Sequence, residues 1–264
     1  EMVKLVGGTP IFIDTSIENN FKVTASDIEK AITSRTKLIF ISNPSNPTGA
    51  IYSKEEIESI VNVCIHNKIY ILSDEIYERI SYVDNFTSIA SISDEAKEIT
   101  VTINGLSKSA SMTGWRIGYT ATNPALAKAI STVQGHLVSH PSTISQWAAV
   151  SALTQCSDET KKMVHAYKAR RDAAVKALSK IKGISFIYPE GAFYFFINVS
   201  SFKKKIFWDK SFSIAFTDAL LNEEKVAVVP GIAFGMDDYI RISFACRTDS
   251  LMEGINRMQN FIEK

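Results

Sequence analysis

Three short stretches carry residue types able to do chemistry, and each follows a short apolar run. Asn43–Pro44–Ser45–Asn46–Pro47–Thr48–Gly49 comes after Lys37–Ser42. Two Asn–Pro pairs and a glycine force a defined turn, which either merely redirects the chain or presents Asn46 as a hydrogen-bond donor. Ser73–Asp74–Glu75–Ile76–Tyr77 comes after Tyr70–Ile71–Leu72. A carboxylate at the end of an apolar strand is costly without a partner, so Asp74 is either a helix N-cap or the counter-ion of a buried cation. Tyr77, three residues on, points the same way if the stretch forms a helical turn. The third stretch runs from Asn104–Gly105–Leu106–Ser107–Lys108 to Arg116–Ile117–Gly118–Tyr119. Lys108 sits among small residues in a segment too apolar for a solvated loop. A lone lysine is nearly always a surface charge. Three strand ends offering Asn, Asp with Tyr, and Lys with Arg are harder to explain that way.

The elements that must position these groups alternate between strand and helix. Val3–Val6 and Ile11–Ile13 read as short strands. Ser26–Asp27–Ile28–Glu29 has the form of a capping box and predicts a helix to about Ser34. Lys37–Ser42 is a short apolar strand with a helix on either side, the mark of a parallel sheet. Ser53–Lys54–Glu55–Glu56 opens a helix with Ile57, Ile60, Val61, Cys64 and Ile65 at helical spacing. Tyr70–Ser73, Glu98–Ile103 and Ile117–Thr122 read as further strands, the first of them buried. Helices follow at Ala125–Leu137, Ile144–Leu153 and about Asp158–Lys180. A smaller sheet is expected from Ile184–Ile187, Ala192–Asn198, Val226–Val229 and Tyr239–Phe244, covered by helices at about Lys210–Leu221 and Leu251–Ile262. The boundary between a large domain, 1–165, and a small one, 166–264, is placed in the long helix. Open α/β sheets bind ligands outside the carboxyl ends of their strands, where all three stretches lie.

Composition narrows the classes. The 264 residues are 45% hydrophobic and 22% charged, enough for a large core. A net charge of +1 predicts no strong attraction to nucleic acid or to anionic membranes, and no apolar run reaches the length of a membrane span. Three scattered cysteines, Cys64, Cys156 and Cys246, and four histidines lack disulfide or metal-ligand spacing. No metal is expected, and a reducing, cytoplasmic compartment is.

Taken together, Asn46–Gly49, Ser73–Tyr77, Ser107–Lys108 and Met112–Tyr119 resemble the class I/II aminotransferases, pyridoxal 5′-phosphate (PLP) enzymes of fold type I. The bacterial-type aspartate aminotransferase branch is the most similar. Gly191–Ala192–Phe193–Tyr194, Val228–Val229–Pro230–Gly231 and Arg241–Ile242–Ser243–Phe244 match small-domain motifs of the same family. The resemblance implies a mostly parallel sheet sandwiched by helices plus a smaller C-terminal α/β domain. It implies amino-group transfer between an amino acid, aspartate by this branch, and a 2-oxo acid such as 2-oxoglutarate, in a homodimer. It makes Lys108 the nucleophile that forms the Schiff base and then moves the proton at substrate Cα. Asp74 would face the pyridine nitrogen, Tyr77 and Asn46 the ring's phenolic oxygen, and Arg116 the cofactor phosphate. Arg241 would grip the substrate carboxylate as a planar fork, and Asn46 would also touch that carboxylate.

Two departures matter. The resemblance places roughly a third of a family member ahead of Glu1, holding a phosphate loop, a ring-stacking aromatic and a residue lent across the dimer. The chain is therefore expected to be an N-terminally truncated fragment, weak in cofactor binding and turnover. Some relatives carry a serine three places before the lysine as a phosphate ligand, where Gly105 stands here. The same residue set also serves other fold type I reactions, β-elimination among them, and the aminotransferase-like effector domains of transcriptional regulators.

Overall fold

The computed structural model describes residues 1–84, 86–206 and 209–264. Its first sheet has the order β1 (Leu38–Ser42), β2 (Tyr70–Asp74), β3 (Thr100–Gly105), β4 (Gly118–Ala121). The first three strands are parallel and β4 closes the edge antiparallel to β3. The helices of this part are α1 (Met2–Leu5), α2 (Ala25–Ala31), α3 (Lys54–His66), α4 (Asp94–Ile99), α5 (Leu106–Ser109), α6 (Pro124–Val138) and α7 (Thr143–Gln155). The 22-residue α8 (Ser157–Leu178) leads to a second sheet of β5 (Tyr194–Asn198), β6 (Val229–Pro230) and β7 (Tyr239–Ser243), all antiparallel, in the order β5-β7-β6. Helices α9 (Phe212–Glu224) and α10 (Thr248–Glu263) cover it.

Helix α3 forms as its sequence dictates. Ser53 and Glu56 cap it reciprocally, and Ile57, Ile60, Val61 and Cys64 are buried with Ile41 and Ile71 of the sheet. Helix α2 starts one cap earlier than expected: Thr24 and Asp27 form its box, because Thr24 holds the extended backbone of an N-cap while Ser26 is already inside the helix. The strand expected at Val3–Val6 is the short helix α1, and Ile11–Ile13 forms no strand. Three apolar residues in so short a segment specify neither state, and no neighbouring strand among the described residues offers these segments a ladder. Ile184–Ile187 contributes only an isolated bridge, Ser185 to Asn198, and Val226–Val229 shrinks to the two residues of β6.

Strand alternation splits the first sheet into unlike faces. Ile41 and Ile71 are buried, whereas Leu38, Phe40 and Tyr70 on the opposite face are 48%, 56% and 45% exposed. Tyr70 is thus not buried as expected. Asp74 lies on that open face, in register with Ser42 and Ile103. The second core joins Phe195, Ile197, Ile240 and Phe244 to Phe212, Phe216, Leu251 and Met258. Tyr77, Ile80 and Tyr82, from just after β2, are part of it. Helix α8 runs unbroken through residue 165; Thr160 holds the Ser109 carbonyl near its start, and Ala174 and Leu178 enter the second core near its end.

The two parts meet most closely where two loops pass. Glu190 and Gly191 both donate backbone N–H groups to the Gly49 carbonyl at 2.9 Å. A Cβ on Gly191 would stand 2.6 Å from Pro44 Cβ, and one on Gly49 (φ +75°) 2.7 Å from Pro189 Cβ. Both positions need glycine for this approach. Arg171 braces the loop: it is 3% exposed, lies 4.5 Å from the Tyr82 ring and 4.3 Å from the Tyr188 ring, and donates to the Pro189 carbonyl. Gly191→Ala should therefore cost about 1–3 kcal/mol by overpacking. Thermal unfolding should show a melting point lower by about 2–9 °C, and an unchanged one would mean the loops are not in contact.

Candidate active site

All three chemical stretches sit at carboxyl ends of strands, as the topology requires. Asp74 is the last residue of β2, and Asn43 donates its backbone N–H to the Asp74 carbonyl from the end of β1. Two adjacent carboxylates lie here, and the structure separates their roles. Glu75 is 1% exposed and accepts from the Ser73 and Ser88 hydroxyls and the Ile89 N–H, so it is locked into the protein interior. Asp74 accepts only from the Ile76 N–H among the described residues. Burial pushes the Asp74 carboxyl above the ordinary carboxylate range, and that one hydrogen bond only partly offsets it.

Lys108 stands in α5, one turn beyond β3. Its Nζ lies 5.7 Å from the Phe193 ring centre and 6.0 Å from that of Tyr77. No described residue gives its amine a hydrogen bond or an ion pair. Tyr77 is 3% exposed and shares a 2.7 Å hydrogen bond with the Tyr194 hydroxyl. Burial, with that bond second, pushes the Tyr77 phenol well above its ordinary value. The Arg241 guanidinium lies 4.4 Å over the Tyr194 ring and 5.0 Å over Phe234, and donates from Nη1 to Asn46 Oδ1 at 2.8 Å. Contacts thus run Lys108–Tyr77–Tyr194–Arg241–Asn46, crossing from one sheet to the other.

Arg116 is not joined to this series. It precedes β4 by two residues, in the left-handed region (φ +51°). Its exposed side chain donates to the Thr113 carbonyl. At Gly105 a Cβ would stand 3.0 Å from Gly118 Cα and 3.1 Å from the Ile117 carbonyl oxygen. The cross-strand pair Gly105–Gly118 leaves a serine there little room. Sequence reasoning assigned no role to Tyr194, Phe193 or Phe234. The first two lay inside a quoted motif, but nothing local says which face of β5 meets Arg241. A cavity of about 470 Å³ opens beside Ser109, Met112, Trp115 and Met163, and none of the expected site residues lines it.

With this geometry in view, the comparisons with known proteins agree. The family described as aminotransferase class I and II matches residues 1–257. An aspartate aminotransferase of Bacillus subtilis is 43% identical over 266 residues, covering 100% of this chain and 67% of its own. The crystal structure of an aspartate aminotransferase from Rhizobium meliloti superposes with a TM-score of 0.92 at 36% identity, over 99% of this chain and 67% of that one. That of an aromatic aminotransferase from Pyrococcus horikoshii gives 0.91 at 33%, over 99% and 69%. The chain spans about two thirds of the length of the relatives it matches. A mixed sheet ending in an antiparallel edge, with a lysine, an aspartate and an arginine fork around it, is the architecture of a fold type I transferase. The chain belongs to the class I and II aminotransferases, which are PLP-dependent enzymes.

The residues present fit PLP. Arg241 Nε and Asn43 Nδ2 are buried donors without a partner among the described residues, and the Lys108 amine and half of the Asp74 carboxylate have none either. A free amine, an acidic group on the open face of the sheet and an unfilled guanidinium edge suit a ligand with an aldehyde, a basic ring nitrogen and a carboxylate-bearing substrate beside it.

Proposed function

We propose that this chain carries the catalytic lysine of an enzyme moving an amino group from an amino acid, with aspartate the first choice, to a 2-oxo acid such as 2-oxoglutarate. The observation that carries this reading is the run of contacts from Lys108 to Asn46, which sets a nucleophile and a carboxylate fork at opposite ends of one aromatic floor. When bound, PLP supplies a protonated ring that takes up the electron pair left at substrate Cα. Lys108 would hold the cofactor at its aldehyde and would carry the proton at substrate Cα. Asp74 would face the ring nitrogen and keep it protonated, Tyr77 and Asn46 would hydrogen-bond the phenolic oxygen, and Arg116 would hold the phosphate. Arg241 holds the substrate α-carboxylate, with Asn46 beside it.

In the same reading residues 1–165 form the cofactor-binding domain and 166–264 the small one, the protein works as a homodimer, and it resides in the cytoplasm. Among the described residues no helix is long and apolar enough to cross a membrane, and the net charge of +1 offers no footing for nucleic acid.

A panel of amino donors with 2-oxoglutarate, followed by oxo-acid formation, tests the substrate assignment; turnover of aromatic donors alone would overturn aspartate. Arg241→Lys should raise the KM for the donor about 10- to 100-fold with a smaller change in kcat, because a point charge cannot replace a two-pronged contact. An unchanged KM would place the carboxylate elsewhere.

A further inference from the structure

Tyr194 touches both ends of the site. It is 6% exposed, its hydroxyl lies 2.7 Å from that of Tyr77, and its ring lies under the Arg241 guanidinium at 4.4 Å. The sheet explains why one side chain reaches both. Tyr194 pairs with Ser243 on β7 and Arg241 with Phe196 on β5, so Tyr194 and Arg241 are diagonal neighbours on one face. The Phe234 ring also lies near the guanidinium, at 5.0 Å. The Tyr77 ring meets Tyr194 edge-on at 5.8 Å and Phe193 at 5.3 Å.

We infer, resting on the reading above, that Tyr194 is a positioning residue that sets the donor strength of Tyr77 through its hydroxyl and the direction of Arg241 through its ring. A phenol with an anionic oxygen before it donates to that oxygen and accepts from behind. Tyr194 is the group behind Tyr77, so its O–H donates to Tyr77 and polarises it, and bonds in such a chain reinforce one another. The ring acts separately. A guanidinium held against the Tyr194 ring, with Phe234 also near, loses little freedom when it grips a carboxylate. The charged and titratable groups around this pair are Asp74 on β2, Lys108 on α5, Arg241 on β7, and Tyr167 with Arg170 over it on α8. None of them changes in the two Tyr194 variants below.

The two roles separate by substitution. Tyr194→Phe keeps the ring and removes the hydroxyl. In the PLP-loaded protein, the pH midpoint of the bound cofactor's absorbance change should rise by about half to one pH unit, because a weakened Tyr77 donor stabilises the deprotonated form less. The KM for the amino donor should stay within about twofold. Tyr194→Leu removes both features. Its midpoint should match that of Tyr194→Phe, while its KM rises about three- to thirtyfold, the range of a lost cation–π contact. A Tyr194→Phe midpoint superposing on the wild type overturns the hydroxyl role. A Tyr194→Leu KM equal to that of Tyr194→Phe overturns the ring role. Lys108→Ala run in parallel separates this inference from the reading beneath it. If that variant keeps the reducible cofactor adduct, the site assignment falls and the role of Tyr194 with it. If it loses the adduct while the Tyr194 variants behave as wild type, only the inference fails.

Discussion

Replacing Lys108 by alanine should abolish the borohydride-reducible adduct with PLP and lower transamination by about 10⁴-fold, the upper end of what one positioned proton-transfer group supplies. The amine stands one turn beyond β3, near the Tyr77 and Phe193 rings, with no carboxylate or carbonyl among the described residues to hold it. An amine so placed is free to attack an aldehyde. By contrast, Lys22 pairs with Glu56 and Lys205 donates to the Ile262 carbonyl, so neither of those amines stands free. Since Lys108 makes no hydrogen bond or ion pair among the described residues, its loss should leave the melting point of the cofactor-free protein within a few degrees. Lys108→Arg keeps the charge and should fail equally, because a guanidinium does not give up its proton near neutral pH. A reducible adduct surviving in either variant would move the nucleophile to another residue.

Asp74→Asn should lower kcat by about 10²–10³-fold, the usual loss when a preorganised electrostatic partner is removed, and should stabilise the cofactor-free protein near neutral pH. The two effects have one cause. Burial raises the folded-state pKa of Asp74 above its unfolded value. Between those two values the folded state holds the proton more often than the unfolded one. The carboxyl is therefore harmless at low pH and increasingly destabilising as pH rises through the raised value. Asparagine has the same shape and no charge to desolvate, so its advantage should grow with pH. Melting curves at pH 4 and pH 7 without PLP measure this. A smaller advantage at pH 7 than at pH 4 would show that Asp74 has a favourable partner in the empty site. With PLP bound the order should reverse, since only the carboxylate can pair with a protonated ring nitrogen.

Much of this site was legible in one dimension because strand ends are local features. A run such as Tyr70–Leu72 followed by Asp74 and Tyr77 fixes its own place at the rim of a parallel sheet, and capping boxes such as Ser53–Glu56 locate the next helix. The errors fell where local pattern carries little information. Val3–Val6 was read as a strand and is a helical turn, since so short a segment suits either state until a neighbour is present. Arg116 lies just outside β4 in the left-handed region, a conformation that no local spacing announces.

The residue types alone thus pointed to an α/β sheet with Asn46, Asp74 and Lys108 at its strand ends, because each depends on a handful of neighbouring residues; Arg241 entered only through the family resemblance and lies on β7 of the second sheet. Tertiary structure alone decided which groups meet. Asn46 and Arg241 are 195 residues apart and Tyr77 and Tyr194 are 117 apart. Both pairs form because Gly49 and Gly191 let two loops approach without a Cβ between them. It also decided between Asp74 and Glu75: strand alternation turns one carboxylate to the open face of the sheet and locks the other among interior donors. Contact across that distance depends on how two sheets dock, a property of packing that no local spacing encodes.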